Sequence, residues 1–416
     1  MTAVRVLLAP AGSRFSAESG SETGWLYDLV TGIVASEPEF EFTCFAGGSD
    51  GQVPERVKVV AIGGWRGDEL GGLVLPFRID RAARAGVSSG QFDVVHHGLP
   101  FAAGWSFSVL GARAARQGLP LVVGPVQTPL EWTGPEERSG QLAALGGHDA
   151  RARFAATARV ALPLFSAVFG RLSARTLRCA SRVVAISPAA RELAIAAGVG
   201  PDRVEVIPPA VRLPPDGAPP WPRPGTALRI LTAGYLIERK GTLNIVRAVA
   251  GLAAAGEPVV LDVAGDGPAM ARIREAVRSL PGGKSVRLHG WMGRRSLAEL
   301  YAAAHVYVSM SRAESWGHSV ADALGAGLVV VTSDNVGARA MAGMGAPLRV
   351  LPASDQEHLS DELRQLCRSD LAELQREGES GARWAAATIG VSVIAGRWAR
   401  LYREAVSCRS LPSPPG

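Results

Sequence analysis

Short runs of β-branched residues recur along this chain, and stretches with helical spacing separate them. In the first half the runs are Arg5–Ala9, Glu41–Phe45, Val57–Ile62, Asp93–His96, Pro120–Val123, Arg182–Ile186 and Val204–Ile207. Most are near-continuous apolar runs, the pattern of strands buried on both faces. Alternation of such strands with helices predicts a parallel, doubly wound α/β sheet. A segment rich in proline and glycine, Arg212 to Gly225, then interrupts the pattern and reads as a stiff connector. The alternation restarts at Leu228–Ala233, Val259–Ala264, Ser285–His289, Val306–Ser309 and Leu328–Thr332. Two sequential α/β domains are therefore expected, 1–210 and 226–386, joined by a linker at 211–225. One further helical pattern runs from about Gly381 to Val406 and carries Trp384, Trp398, Leu401 and Tyr402; the Pro-rich tail Ser410–Gly416 reads as a frayed end.

Composition narrows the class. With 47% hydrophobic and 20% charged residues among 416, the chain can build large cores and is not disordered as a whole. The formal net charge is +6, carried almost wholly by arginine; the lysines are Lys58, Lys240 and Lys284. No block of basic residues occurs, so a nucleic-acid partner is not expected. Cys44, Cys179, Cys367 and Cys408 lie far apart without metal-ligand spacing, which predicts reduced thiols in a cytoplasmic protein. No apolar run approaches the roughly 18 residues needed to span a membrane. The basic, aromatic segment Arg151–Arg178 reads as a buried helix with a solvated basic face; contact with the inner membrane surface is the alternative.

The chemistry concentrates after the strand Val306–Ser309. The segment Glu314-Ser315-Trp316-Gly317-His318-Ser319-Val320 follows that strand and opens a helix, with Asp322 eight residues beyond Glu314. Ligands of open α/β sheets sit at the carboxyl ends of strands. A helix start offers free N–H groups and a favourable dipole for phosphate. One carboxylate can meet sugar hydroxyls and the other a ribose, with a diphosphate between them.

This segment resembles the E-x7-E donor motif of the glycosyltransferase family 4 type, within the retaining GT-B class. The second acid is Asp322 where that family carries Glu. Ile230 to Gly241 resembles the family's Gly-Arg-Leu-x-x-x-Lys-Gly stretch: Lys240 and Gly241 match, Tyr235 stands at the arginine position, and Arg239 is a candidate replacement for its charge. Gly265-Asp266-Gly267-Pro268 resembles the family's Gly-x-Gly-Pro turn, and Gly290-Trp291 the loop that reads the nucleobase edge. Gly20-Ser21-Glu22 resembles the loop between donor and acceptor; the strand end before His96 and His97, and Gly124 to Gln127-Thr128, fall on the acceptor side.

The resemblance implies two Rossmann-like domains facing a central cleft, with a carboxy-terminal helix, about 387–410, packing back on the first. It implies transfer of a sugar from a nucleotide-sugar donor, UDP-sugar favoured, to a small-molecule, lipid or glycan acceptor with retention of configuration. Glu314 and Lys240 would be catalytic. Gly20, Arg239, Gly265, Gly267, Trp291, Trp316, Gly317, His318, Ser319, Val320 and Asp322 would bind the donor. Ser21, Glu22, His96, His97, Gln127 and Thr128 would meet the acceptor. No Asp-x-Asp motif occurs, so no essential metal is expected, and no cofactor, the nucleotide-sugar being a substrate; Lys240 and the helix start would hold the diphosphate. An epimerase-like enzyme of the same fold and a non-catalytic nucleotide-sugar-binding protein remain the alternatives.

Overall fold

The computed structural model describes residues 3–12, 14–18, 21–49, 53–62, 69–98, 107–128, 170–214, 221, 227–353 and 355–407. They divide into two compact units, one formed by the chain up to Ala210 together with the stretch from Val391, the other by Val211–Gly390.

The first unit is a seven-stranded sheet of β1 (Val4–Leu8), β2 (Phe40–Ala46), β3 (Val57–Ala61), β4 (Val94–His97), β5 (Leu121–Val126), β6 (Arg182–Ala185) and β7 (Val204–Val206), in the order β3-β2-β1-β4-β5-β6-β7. Every pairing is parallel. Helices α1 (Ser21–Ser36), α2 (Glu69–Ser88), α3 (Val109–Arg116) and α4 (Pro188–Ala196) alternate with the strands. The central strands are buried through their length, as continuous Val and Leu runs require: Val6, Leu7, Val94 and Val122 have no exposed surface.

The second unit is a six-stranded parallel sheet of β8 (Leu228–Ala233), β9 (Val259–Ala264), β10 (Val286–Gly290), β11 (Val306–Ser309), β12 (Val329–Ser333) and β13 (Arg349–Leu351), in the order β10-β9-β8-β11-β12-β13. Its helices are α5 (Thr242–Ala254), α6 (Met270–Ser279), α7 (Arg294–Ala303), α8 (His318–Gly325), α9 (Val336–Gly343), α10 (Gln356–Arg368) and α11 (Leu371–Thr388). Ile230, Leu261, Val263, Val306, Val308 and Val331 form the centre of its core. Burying each such side chain is worth about 1.5–3 kcal/mol against leaving it in water. Strand β13 has no counterpart in the sequence reading.

The expected linker belongs in part to this second unit. Val211 bridges Gly390, and its N–H donates to Ile389 O at 2.8 Å. Trp221 donates from Nε1 to Gly327 O at 3.0 Å. The remainder of the Pro-rich stretch, 215–220 and 222–226, lies outside the described residues, as do 129–169 and hence most of the arginine-rich segment.

The single helix expected over 381–406 is two. It breaks at Ile389–Gly390, where the backbone pairs with Val211. Trp384 stays in the second unit, donating from Nε1 to Met344 O at 2.9 Å. Helix α12 (Val391–Ser407) returns to the first unit and lies along α1, where a Cβ on Gly32 would come within 2.5 Å of Val391 Cγ1. It buries Trp398, Leu401 and Tyr402 completely. Tyr402 packs on Phe40 and Phe42 at ring separations of 6.1 and 6.0 Å, while Arg403 pairs with Glu39 at 2.6 Å and also with Glu37.

Candidate active site

In the second unit the strand order reverses between β8 and β11, which lie side by side. Connections leave these two strands in opposite directions, so a crevice opens above their carboxyl ends. Lys240 comes from the loop after β8 and Glu314 from the loop after β11. After β8 the chain makes a short 3₁₀ turn, Glu238–Lys240, closed by Gly241 at φ +67°. A Cβ on Gly241 would lie 2.3 Å from Met310 O, so the turn reaches the β11 loop because this residue is glycine. Arg312 N donates to Arg239 O at 2.9 Å and joins the two loops.

This stitching puts the Lys240 ammonium in hydrogen-bond contact with Glu314 Oε1. Arg239 Nη1 stands 3.8 Å from the same oxygen. Burial pushes the Glu314 carboxyl up, but Lys240, then Arg239 and a hydrogen bond from Ser311, push it further down. The net result is a carboxylate held below its ordinary range. Arg239 is itself buried, donating to Ala313 O and lying 3.4 Å from Ser311 Oγ. Its charge therefore supports the Glu314 loop from behind.

Helix α8 begins at His318, after Gly317 at φ +91°. Val320 N and Ala321 N donate to Gly317 O and close the first turn. The N–H groups of His318 and Ser319 have no acceptor within the helix, which suits an anion. The Val320 amide is engaged and its side chain buried, so Val320 has no donor-binding group to offer in this geometry. Desolvation pulls the His318 imidazole down to about 4, with Lys240 and Arg294 adding to the effect and Glu314 opposing it. It is neutral at physiological pH. Trp316 differs from the donor contact expected: its indole is buried at 2% exposure, and its Nε1 has no hydrogen-bond partner among the described residues.

Asp322 is half-buried in α8, close enough to Tyr301 and Tyr307 to raise both phenols, behind the larger effect of burial. Tyr307 donates to Ala233 O at 3.0 Å, at the end of β8, and Tyr301 to Ser319 O at 3.2 Å. The glycine turns close the side of the crevice. Gly265, at φ +135°, would place a Cβ 1.9 Å from Gly234 O, and its N–H donates to Gly290 O at 2.7 Å. A Cβ on Gly267 would lie 2.5 Å from Leu236 O. Trp291, next to Gly290, is 78% exposed and free to meet a ligand. His289 donates to the buried Asp262 at 2.7 Å, a structural pair.

The acceptor-side residues fall at the carboxyl ends of β1, β4 and β5 in the first unit, again beside a reversal of strand order. His96 has both ring nitrogens engaged there. Nε2 faces Gly124 O at 3.1 Å and must carry the proton, so Nδ1 accepts from Tyr402 O–H at 2.7 Å. Burial lowers its pKa to about 3. His96 thus anchors α12 and presents no nitrogen to an acceptor. His97 is also buried, and desolvation lowers it to about 4 against a hydrogen bond with Ala9. Gln127 is half-buried and Thr128 buried, just beyond β5. Ser21 and Glu22 open α1, though their side chains, like the whole of Gly20, lie outside the described residues.

Two residues absent from the sequence reading, Ser333 and Asn335, hold the Glu314 loop from outside it, both donating to Ser311 O in the interior. Asn335 had a readable signal, since Asn before a helix is an N-cap signature.

Two parallel-sheet, Rossmann-like units, with a Lys–Glu pair and a helix start at the second unit's strand reversal, define the GT-B class of sugar-transferring enzymes. Residues 218–384 match the family model described as Glycosyl transferases group 1, and residues 25–213 match Glycosyltransferase Family 4. The chain belongs to these glycosyltransferases, which use a nucleotide-sugar donor and an acceptor. It is 27% identical over 166 residues to the phosphatidylinositol N-acetylglucosaminyltransferase GPI3 subunit of Saccharomyces cerevisiae (strain RM11-1a), a match covering 38% of this chain. The chain spans only 36% of the length of that relative. Among solved structures, sucrose-phosphate synthase (tll1590) from Thermosynechococcus elongatus matches with a TM-score of 0.69 at 17% identity, over 98% of this chain and 100% of that one. Anabaena Alr3699/HepE in complex with UDP and glucose matches with a TM-score of 0.63 at 16% identity, over 96% and 100%. Among the described residues no helix is long and apolar enough to cross a membrane.

Proposed function

We propose that this enzyme transfers a hexosyl-type sugar from a UDP-sugar to an acceptor hydroxyl with retention of anomeric configuration and without an essential metal. The observation that carries the reading is the Lys240–Glu314 contact, made by the loops of the two strands that flank the reversal. Lys240 has three donors, and one contact with Glu314 leaves it able to meet a diphosphate. Together with the His318 and Ser319 amides it would stabilise the charge developing on the leaving diphosphate, and electrostatic stabilisation of this kind takes the place of a metal. Glu314, held ionised, would accept hydrogen bonds from sugar hydroxyls, and Asp322 from the ribose. Trp291 and the Gly265–Gly267 turn would border the base. Ser21, Glu22, Gln127 and Thr128 of the first unit would meet the acceptor. Its proton would pass to the leaving phosphate oxygen as the new glycosidic bond forms on the face the nucleotide leaves.

The complex of the Anabaena protein with UDP and glucose supports UDP-glucose as a probe. The yeast relative is a phosphatidylinositol N-acetylglucosaminyltransferase subunit, which supports UDP-N-acetylglucosamine as a second probe and phosphatidylinositol as an acceptor to try. The test is calorimetric titration of both sugar nucleotides, followed by NMR of products formed with and without acceptor. Binding lost in Lys240→Ala, with an axial-to-axial product from wild type, is the expected result. Inverted product would overturn retention. Product without acceptor would favour an epimerase-like reaction. Binding with no product at all would leave a nucleotide-sugar-binding protein.

A further inference from the structure

We propose that Asn335, assisted by Ser333, is a positioning residue for Glu314: the start of α9 serves as the backstop that holds the Glu314 loop against Lys240. This rests on the reading of Glu314 as a donor-side carboxylate.

The segment from Met310 to Gly317 is irregular, so its buried backbone groups need partners from outside it. The Ser311 carbonyl accepts twice, from Ser333 Oγ at 2.6 Å and from Asn335 Nδ2 at 3.1 Å. Asn335 Nδ2 also donates to Ser333 O at 3.1 Å, while Asn335 Oδ1 accepts from Ala338 N at 3.0 Å. The amide is thereby oriented without ambiguity: its oxygen caps α9 and its nitrogen grips the β11 loop. Two residues further, Gly337 N donates to the carbonyl of Glu314 itself at 3.0 Å. Gly337 also presses on the next part of the loop, because a Cβ there would lie 2.1 Å from Trp316 O. The start of α9 therefore touches the loop at Ser311, Glu314 and Trp316. Arg239 holds it from the other side through Ala313 O and Ser311 Oγ. A loop fixed on two sides keeps its carboxylate at one distance from Lys240.

An ordinary N-cap would start α9 and do nothing for the loop. Asn335→Asp separates the two roles, since it keeps the capping oxygen for Ala338 N and removes the N–H that reaches Ser311 O. The probe is hydrogen–deuterium exchange of peptides covering 310–317 and 338–343, together with initial rates on UDP-glucose and UDP-N-acetylglucosamine. Asn335→Asp should raise exchange about tenfold or more over 310–317 while α9 changes by less than about twofold. The kcat should fall about 10- to 100-fold while donor KM moves less than about threefold, as misplacement of a catalytic group predicts. Ser333→Ala, which removes only the 2.6 Å bond, should show the same pattern more weakly and is the working variant if Asn335→Asp does not fold. Ile273→Val, a buried change in α6, serves as a control for a general loss of stability. Exchange rising only in α9, or a kcat loss no larger than the control gives at equal melting temperature, overturns the proposal. The exchange arm needs no donor: if wild type turns over neither sugar nucleotide, the proposed function fails and the backstop is judged on exchange alone.

Discussion

Replacing Lys240 with Met should expose the electrostatic strain that the Lys240–Glu314 contact now relieves. Glu314 is 13% exposed in its side chain and carries a burial penalty that Lys240 leads in offsetting. Breaking a fully buried pair costs about 3–5 kcal/mol. Lys240 is 26% exposed, and Arg239 remains 3.8 Å from the carboxylate, so a loss of about 1–3 kcal/mol is predicted here. In a unit of this size that lowers the melting temperature by about 2–4 °C for each kcal/mol. The pH dependence should change sign. In the wild type Glu314 is shifted below 4.5, so its contribution is present above that value and fades as acid protonates the folded form. Without Lys240 the burial penalty prevails and the folded value rises; the contribution then turns unfavourable as pH climbs past 4.5. Melting curves of wild type, Lys240→Met, Glu314→Gln and the double variant from pH 4 to 7 measure both effects. The double variant should be less destabilised than the sum of the singles by about 1–3 kcal/mol. Coupling below about 0.5 kcal/mol, or a Lys240→Met curve parallel to wild type across pH, refutes the reasoning.

Tyr402→Phe leaves His96 Nδ1 buried without its donor and should cost about 1–3 kcal/mol in the first unit, read as a lower denaturant midpoint, with nucleotide binding to the second unit unchanged. Gly265→Ala forces a Cβ into Gly234 O at a φ that side chains rarely adopt; it should abolish sugar-nucleotide binding by calorimetry and lower the melting temperature, and wild-type affinity would disprove the steric argument. Desolvation holds His318 near 4, below its unfolded value of 6.5, so stability should fall as pH drops from 6.5 towards 4. His318→Gln should flatten that part of the melting-temperature profile, and an unchanged slope would show that the imidazole is not the group titrating.

What was legible in the sequence was local and buried. Runs such as Leu228–Ala233, Val259–Ala264 and Val306–Ser309 coincide with strands because both faces are covered, which leaves an unbroken apolar signature. Arg349–Leu351 is a short, half-exposed edge strand opening with an arginine that pairs with Glu362 and Glu377, so nothing in its composition distinguishes it from a loop. The helix over 381–406 kept its apolar period across Gly390; the break comes from pairing with Val211, a partner far away in sequence. Lys240 was visible as one of three lysines, and Glu314 through its spacing to Gly317 and Asp322. Their neighbours were harder: spacing places Trp316 on a functional loop and His96 at a functional strand end but does not say which way each faces, and the interior claimed both. Tyr307 and Ser333 act on their loops from neighbouring strands, and such contacts leave no mark in a local pattern.

The return of α12 to the first unit has a consequence for how the chain comes off the ribosome. Domains usually form in order of synthesis. Here the second unit is one uninterrupted span, Val211–Gly390, and all of its strands have emerged before α12 exists. The first unit, although made earlier, waits with the faces of Trp25, Phe40 and Phe42 uncovered until Trp398 and Tyr402 arrive. Chains ending at residue 390 and tethered to the ribosome by a spacer long enough to clear the exit tunnel should therefore hold a protease-resistant second unit and a protease-sensitive first one. That is the reverse of their order of birth, and it makes the amino-terminal unit the client that chaperones must shelter longest.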